Sequence, residues 1–76
     1  MQVEVITFGL IADITGKKTF QMQAHDLDEL KSLLLVKFPD LQDKHYAIAV
    51  NREFVTGNVE FPDHAEVALL PPFSGG

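Results

Sequence analysis

Between Asp26 and Pro39 the chain carries its only long amphipathic helical period, and that one segment limits the folds open to it. Leu27, Leu30, Leu34 and Phe38 recur at i, i+3, i+7 and i+11, an apolar stripe flanked by Leu33, while Asp28, Glu29 and Ser32 face away. Asp26-Leu27-Asp28-Glu29 has the spacing of a capping box, in which Asp26 accepts from first-turn N–H groups and Glu29 reaches back to the cap. Pro39 disfavours helical geometry at Phe38, so the helix is predicted to end close to Lys37. A lone amphipathic helix has no second helix to pack on and must bury its stripe against a sheet.

The flanking segments supply strands. Residues 2–8 alternate, with Val3, Val5 and Thr7 on one side and Glu4, Ile6 and Phe8 on the other. Gly9 and residues 12–16 carry turn chemistry, and residues 18–23 alternate again, so a hairpin with a long loop is predicted. After the helix and a polar connection, residues 46–50 form a short β-like run that turns through residues 51–53 into Phe54-Val55. Residues 56–64 read as loop with a turn at Pro62-Asp63, and residues 66–70 as a last strand stopped by Pro71-Pro72. The predicted order is β-β-α-β-β-β. At 76 residues the chain is too short for two cores, and 46% hydrophobic against 22% charged residues is the balance of a folding chain. One α+β domain follows.

If the helix covers the Val3/Val5 side, the opposite face carries Ile6, Phe8, Ala47, Ala49, Phe54, Ala68 and Leu70. So apolar a face on a small domain reads as a partner surface, with loops or a second copy as the alternative cover.

Several chemistries are excluded. The chain has no cysteine, which removes disulfides, thiolate metal sites and a nucleophilic thiol. His25, His45 and His64 lie about twenty residues apart, without the close pairs of zinc sites, so no metal is expected. Net charge is −5 and the bases cluster only at Lys17-Lys18, which makes nucleic acid a poor partner. No apolar run approaches the roughly 20 residues that span a bilayer, so no membrane partner is expected. Residues 1–5 alternate like a strand and lack the regions of a signal peptide, which points to the cytoplasm. No Ser/His/Asp set or phosphate-binding glycine loop is present, so the chain on its own is not expected to be an enzyme or to bind a cofactor.

The most specific stretch is Leu69-Leu70-Pro71-Pro72-Phe73-Ser74-Gly75-Gly76. Two prolines favour an extended segment, and residues 71–76 reach about 20 Å beyond the last strand. Gly75 and Gly76 lack a Cβ and suit a channel too narrow for side chains. An α-carboxylate, with a pKa of about 3.3–3.7, is ionised at neutral pH and able to attack the α-phosphorus of a nucleotide. Once adenylated, it yields a thiocarboxylate to a sulfur nucleophile or an amide to an amine.

Together with Phe8 after strand one, Phe38-Pro39 at the helix end and Ala49-Val50-Asn51 in the middle strand, the stretch from Glu66 to Gly76 is similar to the small-subunit family of molybdopterin synthase. Members are ubiquitin-like β-grasp sulfur carriers. The resemblance implies one domain over residues 1–76, a mixed sheet with one main helix on one face, and residues 71–76 as an extended tail. It implies that an adenylating enzyme of the ubiquitin-activating type consumes ATP to charge Gly76, next to Gly75, and that a sulfurtransferase step makes the thiocarboxylate. The large synthase subunit then accepts the tail and builds the molybdopterin dithiolene from a cyclic pyranopterin phosphate, in a complex with two copies of each subunit. The same resemblance makes Phe8, Phe54 and Leu70, with Pro71, Pro72, Phe73 and Ser74, the partner-binding residues. Two segments depart from the pattern: residues 9–13 lack a basic residue often found there, and Asp63-His64-Ala65-Glu66 replaces a Gly-Asp-Glu turn. A thiamine-pathway sulfur carrier, a ubiquitin-like protein modifier and a plain interaction domain remain the alternatives.

Overall fold

The first and last strands pair in parallel at the centre of the sheet, Val3 beside Ala65 and Thr7 beside Leu69. This arrangement comes from a computed structural model that describes residues 1–71. The expectations for Pro72, Phe73, Ser74, Gly75 and Gly76 lie outside the described residues. The elements are β1 (Gln2–Thr7), α1 (Gly9–Thr15), β2 (Thr19–Gln23), α2 (Leu27–Lys37), a 3-10 turn (Pro39–Asp43), β3 (Ala47–Val50), β4 (Glu53–Val55) and β5 (Ala65–Leu70). They build one five-stranded sheet in the order β2-β1-β5-β3-β4, antiparallel except at β1–β5. The α+β class, the mixed sheet and the ubiquitin-like β-grasp agree with the sequence reading.

Alternation sorts the sheet into two faces, as period-2 geometry requires. Val3, Val5, Ile48, Val67 and Leu69 are buried on one side, where Leu27, Leu30 and Leu34 of α2 meet them. Phe38 packs against the same core and stacks tilted on Phe20, ring centroids 5.6 Å apart. Asp26 caps α2, its side chain accepting from the Glu29 N–H at 2.8 Å. Glu29 reaches one residue further than the capping-box spacing implied: its carboxylate accepts from the His25 N–H at 2.8 Å, not from Asp26.

Two segments differ from the sequence reading, while residues 56–64 form a loop as predicted. Residues 9–15, read as loop, form α1, a two-turn helix without a capping side-chain bond or an acid in its first turn. Tertiary packing holds it instead: Ile11 and Thr15 are buried, and Gly16 ends it in a left-handed conformation (φ +77°) with its N–H on the Ala12 carbonyl. The hydroxyls of Thr7 and Thr15 both donate to the Lys17 carbonyl, at 2.7 and 2.8 Å, tying β1, α1 and the start of β2 together. The polar connection contains the 3-10 turn, which buries Leu41. The loop of residues 56–64 crosses the start of α2, where the Leu27 N–H donates to the Val59 carbonyl and the Phe61 N–H to His25, and Phe61 is buried.

Candidate functional site

The face opposite α2 is a graded surface. Strand register aligns Ile6, Ala68, Ala49 and Phe54 in one row across four strands. The next row towards Pro71 pairs Leu70 with Ala47. Phe8 follows Thr7 in extended backbone (φ −137°, ψ 152°), which keeps its side chain on the parity of Ile6. It caps α1 and no longer belongs to the strand, which ends one residue short of the predicted end. On the far side of the Ile6 row, Glu4 pairs with Glu66. The face is thus apolar at the end from which the chain leaves β5 and charged at the other, where Arg52 also pairs with Glu66 at 3.6 Å.

Exposure grades the row as well. Phe54 is 63% and Phe8 45% exposed, large values for phenylalanine. Ile6, Ala47, Ala68 and Leu70 are partly buried. Ala49 is buried, a departure from the open position expected for it: Ala68 on one side and Phe54 on the other flank it in the register and screen it from water. Leu70 keeps its predicted side of the sheet, with less exposure than the two phenylalanines.

Local chemistry fixes the outward aim of Phe54. Asn51 and Arg52 take left-handed conformations (φ +50° and +70°), the geometry of a two-residue hairpin turn whose twist matches that of the strands. Asn51 anchors that turn to β5, donating its N–H to the Glu66 carbonyl at 2.7 Å and accepting from the Glu66 N–H at 2.9 Å. With the turn locked, Val55 packs on the core and Phe54 must face out.

Pro71 begins the tail at the edge of this face and lines an apolar groove of ≈350 Å³ with Leu10, Ile11, Asp43, Lys44 and His45. Leu10 is 58% exposed, and sequence reasoning misses it because turn-forming residues mask the short helix that carries it. The shifted titratable groups lie away from the face. Backbone hydrogen bonds hold the Asp26 and Glu29 carboxyls below their usual range, and burial pushes the Tyr46 hydroxyl up. Among the described residues no three His, Cys, Asp or Glu side chains come together as a metal site, and no helix is long and apolar enough to cross a membrane. What the described residues offer is an exposed apolar face beside Pro71, and the reacting group expected at Gly76 lies outside them.

A model of the ThiS family matches residues 5–76. The molybdopterin synthase sulfur carrier subunit of Caenorhabditis briggsae is 32% identical across 100% of this chain and 99% of its own length. That of Arabidopsis thaliana is 29% identical, across 100% of this chain and 84% of its own. Among solved structures, a complex of subunits 1 and 2 of the molybdopterin-converting factor from Helicobacter pylori 26695 contains a chain that is 35% identical, with full coverage of both and a TM-score of 0.79. The small archaeal modifier protein 1 from Methanosarcina acetivorans shares the fold at TM-score 0.84 and 20% identity, over 99% of this chain and 96% of its own.

Proposed function

This chain belongs to the ThiS family, and from that premise we propose that it is the sulfur-carrying subunit of a molybdopterin synthase. The Gly76 carboxylate attacks the α-phosphorus of ATP in an activating enzyme, releasing pyrophosphate and leaving an acyl adenylate. Hydrosulfide released at a sulfurtransferase then attacks the carbonyl, AMP departs as the C–S bond forms, and the chain ends in a thiocarboxylate with no change of oxidation state. The large synthase subunit takes up the tail and uses its sulfur to build the dithiolene on a cyclic pyranopterin phosphate.

The observation that carries this reading is the position of the apolar face. Phe8, Leu70 and Ala47 lie where β5 hands over to Pro71, so a protein that covers this end of the sheet stands at the mouth of the tail. The two-subunit complex of the 35% identical Helicobacter relative supports a large subunit as that protein. Apolar burial supplies affinity there, and the tail supplies the chemistry. The chain binds no cofactor of its own in this scheme, ATP being consumed by the activating enzyme.

Reconstitution tests the reading. With activating enzyme, ATP, a sulfur donor and the large subunit, this chain is expected to support conversion of cyclic pyranopterin phosphate to molybdopterin, and omitting it is expected to stop the reaction. Failure to make molybdopterin, with sulfur delivered instead to a thiazole or the chain conjugated to lysines, transfers the role to the thiamine-pathway or modifier alternative.

A further inference from the structure

Phe8 and Leu10 are two large exposed apolar side chains separated by one glycine, and Pro71 lies against that glycine. The root of the tail is therefore bracketed: Phe8 stands on the sheet face, Leu10 at the end of the sheet beside the groove that Pro71 helps to line. A single exposed leucine on a small domain means little. Here Leu10 adds to an apolar surface in which Phe54 borders Ala49, Ala47 pairs with Leu70, and Leu70 leads to Pro71 and a concavity lined by the buried Ile11. The rim of that concavity carries Asp43, Lys44 and His45, charges of both signs, around an apolar part made by Leu10, Ile11 and Pro71.

We infer that the groove between α1 and the segment after the 3-10 turn is a second docking point for the large synthase subunit. That subunit inserts an apolar side chain beside Leu10. The inference rests on the proposed function and adds to it a grip on the tail's root from both sides. Contact on the sheet face alone holds the root of the tail from one side only. Contact in the groove as well fixes it, so Leu10 is a positioning residue for delivery of the carboxyl end.

Binding of the full chain to the purified large subunit tests this, with Leu10→Asp, Leu10→Ala and Phe54→Asp measured beside the unaltered protein and each variant's fold verified by its thermal transition. Leu10→Asp is expected to weaken association about tenfold or more, and Leu10→Ala by less, because a charge is then buried in an apolar contact. Hydrogen exchange in the unaltered chain is expected to slow at Ile11 and Lys44 when the subunit is added, a readout that needs no variant. Unaltered affinity for Leu10→Asp beside a weakened Phe54→Asp, or unchanged exchange at Ile11 and Lys44 in a complex that forms, overturns the groove while leaving the carrier reading in place. No association of the unaltered chain with the large subunit overturns both.

Discussion

Pro71 rests on Gly9: a Cβ built on that glycine stands 3.6 Å from Pro71 Cγ, an ordinary van der Waals distance, while the Gly9 backbone itself is left-handed at φ +56°. Space at this position admits a methyl group, whereas the backbone conformation opposes one. Gly9→Ala fits against the proline, yet that backbone region costs an L-residue roughly 1–2 kcal/mol. The variant is expected to lower the unfolding free energy by about that amount in urea titrations and to keep the domain folded. A wild-type midpoint contradicts the strain assigned to this turn.

Phe54 faces outward from a locked hairpin and is 63% exposed, so Phe54→Asp is expected to leave the thermal transition within a few degrees of the unaltered protein. Association with the large subunit is expected to fall about tenfold or more, as for a central apolar anchor. Titration calorimetry separates the two effects. Undiminished affinity removes Phe54 from the interface.

The fold was legible where periodicity is strong. Alternation in β1 and β5 and the leucine stripe of α2 place the core, and the same parity puts Phe8, Phe54 and Leu70 opposite it. The helix α1 was not legible: it spans seven residues, starts and stops at glycines, lacks a capping side chain, and is held by the burial of Ile11 and Thr15, which no local pattern announces. Phe61 was hidden for the same reason, since its burial depends on a loop crossing α2. Parity also could not reveal that Ala49 is covered by its neighbours, or that a groove opens beside Leu10. The tail chemistry belongs to sequence alone, its five last residues lying beyond the described ones.

Acid sensitivity follows from the start of α2. The Asp26 carboxyl is held low chiefly by the Glu29 N–H and the Glu29 carboxyl chiefly by the His25 N–H. Groups whose pKa is lower in the folded state contribute stability above their unfolded values, about 3.9 for Asp and 4.3 for Glu, and lose it as pH falls through the folded ones. Urea midpoints are expected to hold steady from neutrality to about pH 5 and to decline below about pH 4. Asp26→Ala is expected to lower the midpoint at neutral pH and flatten the acid decline. An acid decline as steep as that of the unaltered protein argues against the cap as its source.

Among the described residues the buried core runs from Val3 to Leu69, so removal of Gly76 is expected to leave the thermal transition unchanged. Charging by the activating enzyme is expected to disappear in the same variant, because the carboxylate then sits one residue short. Loss of folding on deletion contradicts the separation of tail from core.

Intact-mass spectrometry tests most directly whether the Gly76 carboxylate carries sulfur. After incubation with the cognate activating enzyme, ATP and a sulfur donor, the chain is expected to gain about 16 Da, one oxygen exchanged for sulfur after nucleophilic attack on the adenylate. An unchanged mass, with an enzyme shown to be competent on another carrier, contradicts that role.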